Sequence, residues 1–275
     1  MIDCHVHLGK TSIGTFPHRS VASVHQWIDI MDRHGIEKSV LLPLESPEGC
    51  GGWYLTEEAL EDWRTYSERL ILFVGIDPRA YNVEGRIKYY AEQGAVGFGE
   101  HKHGLAFDDP LCMNIYKIVD DLGWPLLYHS DPDLNMDEPG LPRLEKCLKE
   151  FKNVNFIGHG PGFWGAISAD DDRSGGYPTG KIKPGGALDR LLQEYPNFYA
   201  DISAGSGHNA MTRDPDYIES FLQRNWRKVL FGTDFMFCGQ DLPQPNWLKN
   251  DAPVNDEQRE AIAKGNFLRI CTPIC

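Results

Sequence analysis

Two histidines stand two residues apart near the start of the chain, His5 and His7 in the segment MIDCHVHLGK. In a β-strand, side chains at positions i and i+2 point to the same face, so both imidazoles converge if residues 2–8 are extended. Such a pair is typical of two ligands of one metal ion. Histidine pairs at this spacing also occur as ordinary hydrogen-bonding groups, and the rest of the chain must decide between the two interpretations.

Short apolar segments alternate with stretches of helical periodicity along the whole chain. After residues 2–8, the predicted strands begin at Ser39, Leu70, Ala95, Pro125, Asn153, Asn197 and Lys228. The predicted helices cover roughly residues 20–34, 56–68, 83–93, 109–122, 139–151, 185–195, 214–225 and 255–268. This alternation predicts a parallel sheet and, with eight units of each kind, an α/β fold of the (β/α)8 TIM-barrel type. The 275 residues fit a single barrel domain over 1–275.

Polar side chains follow the predicted strands where each strand ends, which is where TIM barrels carry their catalytic groups. They are His5 and His7, Glu100 and Lys102, His129, His159, Asp201 and Asp234. Imidazoles and carboxylates in an apolar barrel are costly unless something pairs with them. A divalent cation would satisfy the four histidines, Glu100 and Asp234 together. The mixture of nitrogen and oxygen donors favours zinc and also accepts manganese.

Composition excludes several classes of partner. The formal net charge is -13 and the chain has no basic run, which argues against nucleic acid or an anionic membrane surface. Neither a signal peptide nor a membrane anchor is indicated, so we expect a cytoplasmic protein with a small-molecule substrate. The seven cysteines lack zinc-ribbon spacing and are interpreted as free thiols. The sequence leaves open whether the protein forms a homo-oligomer.

Five segments, taken in order, resemble the amidohydrolase superfamily of metal-dependent TIM-barrel enzymes, particularly its branch of hydrolases and decarboxylases. They are DCHVH, GFGEHK, LLYHSD, FIGHGPGFWG and LFGTDF. The resemblance covers nearly the whole chain. It implies a bare barrel without the accessory β-sandwich of many members, because the first histidine strand begins at residue 2 and only a short segment follows Asp234.

The resemblance also implies a division of the ligands. His5 and His7 would bind one metal together with Asp234. His129 and His159 would bind a second metal or, in mononuclear members, bind or orient near the first. One ion and two ions both remain open.

Glu100 stands where many members place a metal-bridging carbamylated lysine or a carboxylate. It departs from those members that have the lysine. A glutamate can bind or bridge metals without modification. Lys102 lies on the same face of the strand and is either a modified lysine or a cation for the substrate.

A divalent ion lowers the pKa of bound water to about 7 and polarises a carbonyl. Asp234 is then the expected general base, and His159 is the alternative acid or base. We expect a metal-dependent hydrolase acting on an amide, ester or lactone of a small molecule. Two alternatives are a metal-dependent decarboxylase of a small cyclic or aromatic carboxylic acid and a non-catalytic metal-binding barrel.

Residues 160–186 form a glycine-rich segment too long for an ordinary turn, which indicates a functional loop. Within it, Trp164 either stacks on a cyclic substrate or anchors packing. His208 follows the seventh strand as a substrate contact or a loop histidine, and Asp201 is expected to orient a ligand histidine. His101 faces away from Glu100 by strand alternation and is assigned a surface or structural role.

Overall fold

The computed structural model describes residues 1–9, 21–49 and 53–271. Its strands are β1 Ile2–Val6, β2 Lys38–Leu41, β3 Leu70–Leu72, β4 Phe98–His101, β5 Pro125–His129, β6 Asn155–His159, β7 Phe198–Asp201 and β8 Val229–Leu230. Its helices are α1 Val24–His34, α2 Thr56–Thr65, α3 Val83–Glu92, α4 Pro110–Leu122, α5 Pro142–Glu150, α6 Pro161–Gly165, α7 Ala187–Glu194, α8 Ala204–Thr212, α9 Pro215–Asn225, α10 Gln244–Asn246, α11 Asp256–Glu260 and α12 Asn266–Ile270. None of the described helices is long and apolar enough to cross a membrane.

The strands are parallel and follow the chain order β1-β2-β3 in one sheet and β4-β5-β6-β7-β8 in the other. Backbone hydrogen bonds join the two sheets at both seams. On one side, Val96 N donates to Leu72 O at 3.0 Å. On the other side, Cys4 N donates to Phe231 O at 3.0 Å and His7 N donates to Phe235 O at 2.8 Å. The predicted (β/α)8 TIM barrel is confirmed.

Local signals set several helix ends. Ser23 caps α1 by accepting a hydrogen bond from Gln26 N, and Gly35 ends the helix with a φ of 70°, a left-handed conformation that glycine adopts at no steric cost. Asp109 caps α4, and Pro110 occupies its first turn, where a missing N–H is tolerated. The start predicted at residue 20 lies outside the described residues.

The predicted helices are present with shifted ends, and the last one is interrupted. A π-helical segment, Ala261–Gly265, separates α11 from α12, and a second one, Trp247–Asp251, continues α10. The helices α6, α8 and α10 were not predicted. α6 and α10 are single turns of five and three residues, and the nine-residue α8 has a sequence without clear helical periodicity.

Two apolar layers surround the strands. The outer layer packs the strands against the helices. The inner layer fills the lower half of the barrel and contains Ile2, Cys4, Val40, Leu42, Ile71, Phe73, Val96, Leu127, Ile157, Tyr199, Leu230, Phe267, Ile270 and Cys271. Directly above it, at the carboxyl ends of the strands, lies a polar layer.

A break in β1 brings the first two histidines into that polar layer. The register of β1 against β2 shifts between Asp3 and Val6. Cys4 belongs to the inner layer, but Val6 packs in the outer layer, although regular alternation would place both on one face. After the shift, His5 and His7 take the inward positions. The irregularity thus re-aims the side chains next to the site.

Candidate metal centre

The six predicted ligand residues converge at the mouth of the barrel. The Nε2 atoms of His5 and His7 are 3.0 Å apart. Asp234 Oδ1 lies 3.4 Å from His5 Nε2 and 3.3 Å from His7 Nε2. Glu100 Oε2 lies 3.4 Å from His7 Nε2. Each of these distances leaves room for an ion that binds both atoms.

The remaining two histidines extend the cluster. His129 Nδ1 lies 3.2 Å from Glu100 Oε1, and His159 Nε2 lies 3.8 Å from Asp234 Oδ2. Three triplets have ligand atoms within 4.8 Å of one another: His5, His7 and Glu100; His5, His159 and Asp234; Glu100, His129 and His159. Because the triplets share members, the cluster offers donors for one or two ions.

Hydrogen bonds fix the protonation of the first histidine pair. His7 Nδ1 is 2.6 Å from Leu42 O, and a carbonyl only accepts, so this nitrogen carries the hydrogen. His5 Nδ1 is 2.7 Å from Asp201 Oδ2 and donates for the same reason, so Asp201 fixes the orientation of this ring. Both Nε2 atoms therefore hold lone pairs that face each other. Two lone pairs repel at this distance, and a cation between them removes the repulsion.

The second histidine pair is oriented in the same way. Ser203 Oγ has one hydrogen, which it donates to Asp201 Oδ2 at 2.6 Å, since an ionised carboxylate only accepts. The hydroxyl then accepts from His159 Nδ1 at 2.9 Å. His129 Nε2 donates to Asp131 Oδ2 at 3.0 Å. All four imidazoles thus turn one unprotonated nitrogen toward the mouth, a pattern that outer hydrogen bonds produce at metal sites.

The two carboxylates are anions, Glu100 buried and Asp234 partly exposed. Both oxygens of Glu100 are buried and have no hydrogen-bond partner among the described residues. Burial raises the pKa of Glu100, but the charge of Lys102 opposes it, and the pKa lies well below its usual range. The pKa of Asp234 is also lowered, against the effect of burial. Ionised carboxylates facing imidazole lone pairs fit a divalent metal.

The backbone around Asp234 places its side chain. Its φ of 55° lies in the left-handed region, which aspartate tolerates better than most residues. Asp234 N donates to His5 O at 2.9 Å. The preceding residue, Thr233, is held by its Oγ1, which donates to Asp3 Oδ2 at 2.6 Å. These contacts tie the segment after β8 to β1, so the position of Asp234 is fixed relative to the first histidine pair.

The predicted substrate-binding residues differ in their surroundings. Lys102 Nζ lies 3.7 Å from Glu100 Oε2, which places this cation beside the cluster. Trp164 is only 3% exposed. Its Nε1 donates to Asp201 O at 2.9 Å, and its ring contacts Phe163 and Phe221. We therefore assign Trp164 to core packing and correct the suggestion that it stacks on substrate.

His208 lies in α8 and lines a separate cavity together with Met211 and Trp247. Burial lowers the pKa of His208, and Asp241 partly opposes that change. None of the mouth residues borders this cavity. A substrate contact by His208 therefore stays a prediction.

The long segment after β6 is anchored rather than detached. Arg173 donates to Ser130 Oγ at 3.0 Å and to Gly162 O, and Ile182 is buried. Tyr177 is 57% exposed, and its pKa is raised by burial and by the charge of Asp234. The segment therefore holds the Tyr177 phenol near enough to the mouth for the charge of Asp234 to affect its pKa.

Sequence reasoning also missed Asp131, Ser203 and the carbonyl of Leu42. Asp131 and Ser203 each stand two residues after a polar strand-end residue, His129 and Asp201. The i, i+2 rule that singled out the first histidine pair could have found both. Nothing in the sequence marks a backbone carbonyl as a partner.

The fold and the clustered strand-end residues define a TIM-barrel enzyme of the amidohydrolase superfamily. The family model described as amidohydrolase matches residues 2–270. The chain belongs to the amidohydrolase family.

Several solved structures share the fold. A probable 2-pyrone-4,6-dicarboxylic acid hydrolase from Acinetobacter baumannii, with citric acid bound, is 15% identical, with 98% of each chain covered and a TM-score of 0.65. An uncharacterised TIM-barrel protein from Bordetella bronchiseptica is 13% identical, with 98% of each chain covered and a TM-score of 0.68. A dihydroxybenzoic acid decarboxylase from Polaromonas sp. JS666, with bound manganese and the inhibitor 2-nitroresorcinol, is 15% identical over 98% of this chain and 96% of that one, with a TM-score of 0.61. No curated protein matches the sequence significantly.

Proposed function

We propose that the protein is a metal-dependent hydrolase that cleaves an amide, ester or lactone bond of a small molecule. The proposed ligands are His5, His7, Glu100, His129, His159 and Asp234. The observation that carries the proposal is the orientation of the four imidazoles, each of which turns an unprotonated nitrogen toward the mouth that also holds Glu100 and Asp234. Membership of the amidohydrolase family supports it.

The position of Glu100 supports a site for two ions. Its Oε2 lies 3.4 Å from His7 Nε2 and its Oε1 lies 3.2 Å from His129 Nδ1, so each oxygen faces a different histidine. One carboxylate would then bridge two ions, and with a single ion His159 would stay free as an acid or base. Nitrogen and oxygen donors together suit Zn²⁺ first and Mn²⁺ second.

A divalent ion bound here would polarise water and the substrate carbonyl. The protein's own contribution is to move the proton. Side-chain exposure distinguishes which of the two carboxylates can act as the general base. The side chain of Asp234 is 17% exposed, whereas that of Glu100 is 1% exposed. Asp234 is therefore the carboxylate within reach of a substrate, and we assign it the role of general base. His159, oriented by Ser203, is the alternative proton carrier.

Lys102 supplies a positive charge beside the mouth. Its side chain is 15% exposed and its Nζ lies 3.7 Å from Glu100 Oε2. Such a cation would hold an anionic group of the substrate, for example a carboxylate. The same contact supports a second candidate function, decarboxylation of a small cyclic or aromatic acid, in which the lysine would hold the acid in place.

Isotope labelling distinguishes the two reactions. The purified, metal-loaded enzyme is given a panel of lactones, esters, amides and aromatic acids, first in ¹⁸O-labelled water and then in D₂O. We expect ¹⁸O in the new carboxyl group of the product. Release of carbon dioxide, with solvent deuterium on the carbon that carried it, would establish the decarboxylase instead. If the fully metal-loaded protein converts none of the panel compounds, both assignments are contradicted.

A further inference from the structure

A second pair of histidines, His101 at the end of β4 and His103 just after it, lies on the helix-facing side of the strand, away from the barrel interior. His101 packs against the rings of Phe98 and Tyr116, with ring centroids 5.6 and 5.4 Å away. Both aromatic residues belong to the outer layer between strands and helices. His103 lies next to His101, and Cys112 approaches from the first turn of α4. We call His101, His103 and Cys112 the outer cluster.

The donor atoms of the outer cluster are close together and buried. His101 Nε2 and His103 Nε2 are 2.8 Å apart, and Cys112 Sγ is 3.5 Å from His103 Nε2. One ligand atom from each residue lies within 4.8 Å of the others. The three residues are at most 1% exposed. Separations of this size between ligand atoms are compatible with a single ion bound at Zn–N and Zn–S distances of about 2.0 to 2.3 Å.

The charges around the outer cluster favour a cation. His103 experiences the fields of three carboxylates, Asp77, Glu48 and Asp109, and of one guanidinium, Arg79. Arg79 is itself paired, since its Nη2 lies 2.6 Å from both Glu48 Oε2 and Asp77 Oδ2. Three carboxylates thus stand against one guanidinium around His103.

The backbone of the histidine pair is held in place by one residue. Asn135 N donates to His103 O at 2.9 Å, and Asn135 Nδ2 donates to His101 O and, at 2.6 Å, to His129 O. Asn135 is fully buried. The two imidazoles are therefore presented by a fixed segment, which reduces the ordering cost of binding a metal.

We propose that the outer cluster, His101, His103 and Cys112, is a metal site separate from the mouth, with Zn²⁺ as the ion. Two imidazole nitrogens and one thiolate supply three of four tetrahedral positions, and water takes the fourth. Binding breaks the Sγ–H bond of Cys112, forms an Sγ–Zn bond and releases one proton to solvent. The proposal is independent of the reaction at the mouth, because no residue of the outer cluster belongs to the proposed mouth ligands.

Cobalt is the probe that distinguishes the two sites, because a thiolate bound to Co²⁺ gives a near-ultraviolet charge-transfer band that histidine and carboxylate ligands do not give. The full-length protein is saturated with Co²⁺ and its absorption and bound metal are measured. The variants are Cys112→Ser and the control Cys147→Ser, which removes another buried thiol that instead contacts Met113 Sδ at 3.6 Å.

We expect the band in the wild type and in Cys147→Ser. In Cys112→Ser the band should be absent, and the protein should bind about one Co²⁺ per chain fewer than the wild type. The band should persist in the double variant His5→Ala/His7→Ala, which alters only the mouth. A wild type without the band, or Cys112→Ser with an unchanged band and metal content, would overturn the proposal.

A second measurement covers the case in which Cys112→Ser does not fold. X-ray absorption at the zinc edge of the Zn²⁺-saturated wild type reports whether sulfur is among the ligands. One sulfur ligand per chain is expected, which gives between about one third and one half of a sulfur neighbour averaged over two or three bound ions. A ligand shell of nitrogen and oxygen alone would refute the outer site.

Discussion

Two layers of the barrel interior lie directly above one another on the same strands, yet their side chains are satisfied in different ways. In the inner layer, Leu127, Ile157 and Leu230 are fully buried and pack only against other apolar groups. Two residues further along two of these strands, His129 and His159 are also buried but turn an unprotonated nitrogen toward the mouth.

The difference separates stability from function. Apolar burial contributes to the stability of the fold without any ligand. The mouth instead concentrates ionised carboxylates and imidazole lone pairs, which are satisfied together only when a cation is present. Substitutions in the inner layer should therefore reduce stability and leave metal binding, whereas substitutions in the mouth should do the reverse.

The largest effect is expected for the carboxylate that we assign as general base. Asp234→Asn removes the proton acceptor and one negative charge of the ligand set, so activity should fall by about 10²–10⁴-fold. The thermal midpoint should change little, since the amide keeps the shape of the side chain. Turnover of the best panel substrate and thermal unfolding are the measurements.

Asp29→Asn, on an exposed face of α1, makes the same chemical change away from the mouth and serves as the control. Full activity in Asp234→Asn would remove the assigned role under either proposed reaction.

A pair of variants on β6 tests the separation of the layers directly. Ile157→Ala deletes a fully buried side chain and should lower the free energy of unfolding by about 2–5 kcal/mol while metal content is retained. His159→Gln, two residues along, should lower metal content or turnover with a much smaller loss of stability. Denaturant unfolding and metal analysis of both variants give the comparison. Equal losses of stability in the two variants would show that the layers are not energetically distinct.

A smaller effect is expected from the hydroxyl that orients His159. Ser203→Ala removes the nearer acceptor of His159 Nδ1, which then has Asp201 Oδ2 at 3.2 Å, and it removes the donor to Asp201, which should reduce metal affinity or activity by up to about 10–100-fold. Ser206→Ala is the control, since that hydroxyl is buried in the same helix, α8, and has no hydrogen-bond partner among the described residues. ¹⁵N NMR of the histidines should show a changed tautomer balance for His159 in Ser203→Ala only. An unaltered His159 signal would argue against the orienting role.

The smallest effect concerns an ion pair outside both layers. The Arg79 guanidinium lowers the pKa of Glu48 from 4.5 to about 2 in the folded state. A lowered carboxyl pKa stabilises the fold above the unfolded value, and this contribution is lost as the pH falls from about 4.5 towards 2. Glu48→Gln removes this carboxyl alone and should therefore cost less than about 1 kcal/mol at pH 7 and little near pH 2. A pH-independent difference between the two proteins would contradict this origin.

The fold was largely predictable because its signal is local. Each strand is a short apolar segment, and each of the predicted helices has an amphipathic pattern or a capping residue such as Ser23 or Asp109. The short helices α6 and α8 were not predicted, since Gly160 and Ser203 begin them without a long periodic stretch behind. The register shift in β1 arises from pairing with β2 and leaves no mark in the segment itself.

The candidate site was predictable as a set of residues but not as a set of protonation states. Strand alternation and the barrel rule bring His5, His7 and their partners together. Which nitrogen of each ring is free depends on contacts across the chain, such as His5 with Asp201 and His7 with Leu42. The burial of Trp164 likewise depends on a residue distant in sequence, Phe221 of α9, which packs against its ring.

Metal content of the double variant His5→Ala/His7→Ala tests the central claim most directly. The wild type and the variant are loaded with Zn²⁺, dialysed and measured by elemental mass spectrometry, with correct folding confirmed by circular dichroism. The account predicts that the mouth of the folded variant loses its metal, because two of the converging nitrogen donors are gone, and that activity on any panel substrate disappears with it. A folded double variant with the full metal content and activity of the wild type would contradict the claim that the mouth of this barrel is a metal centre.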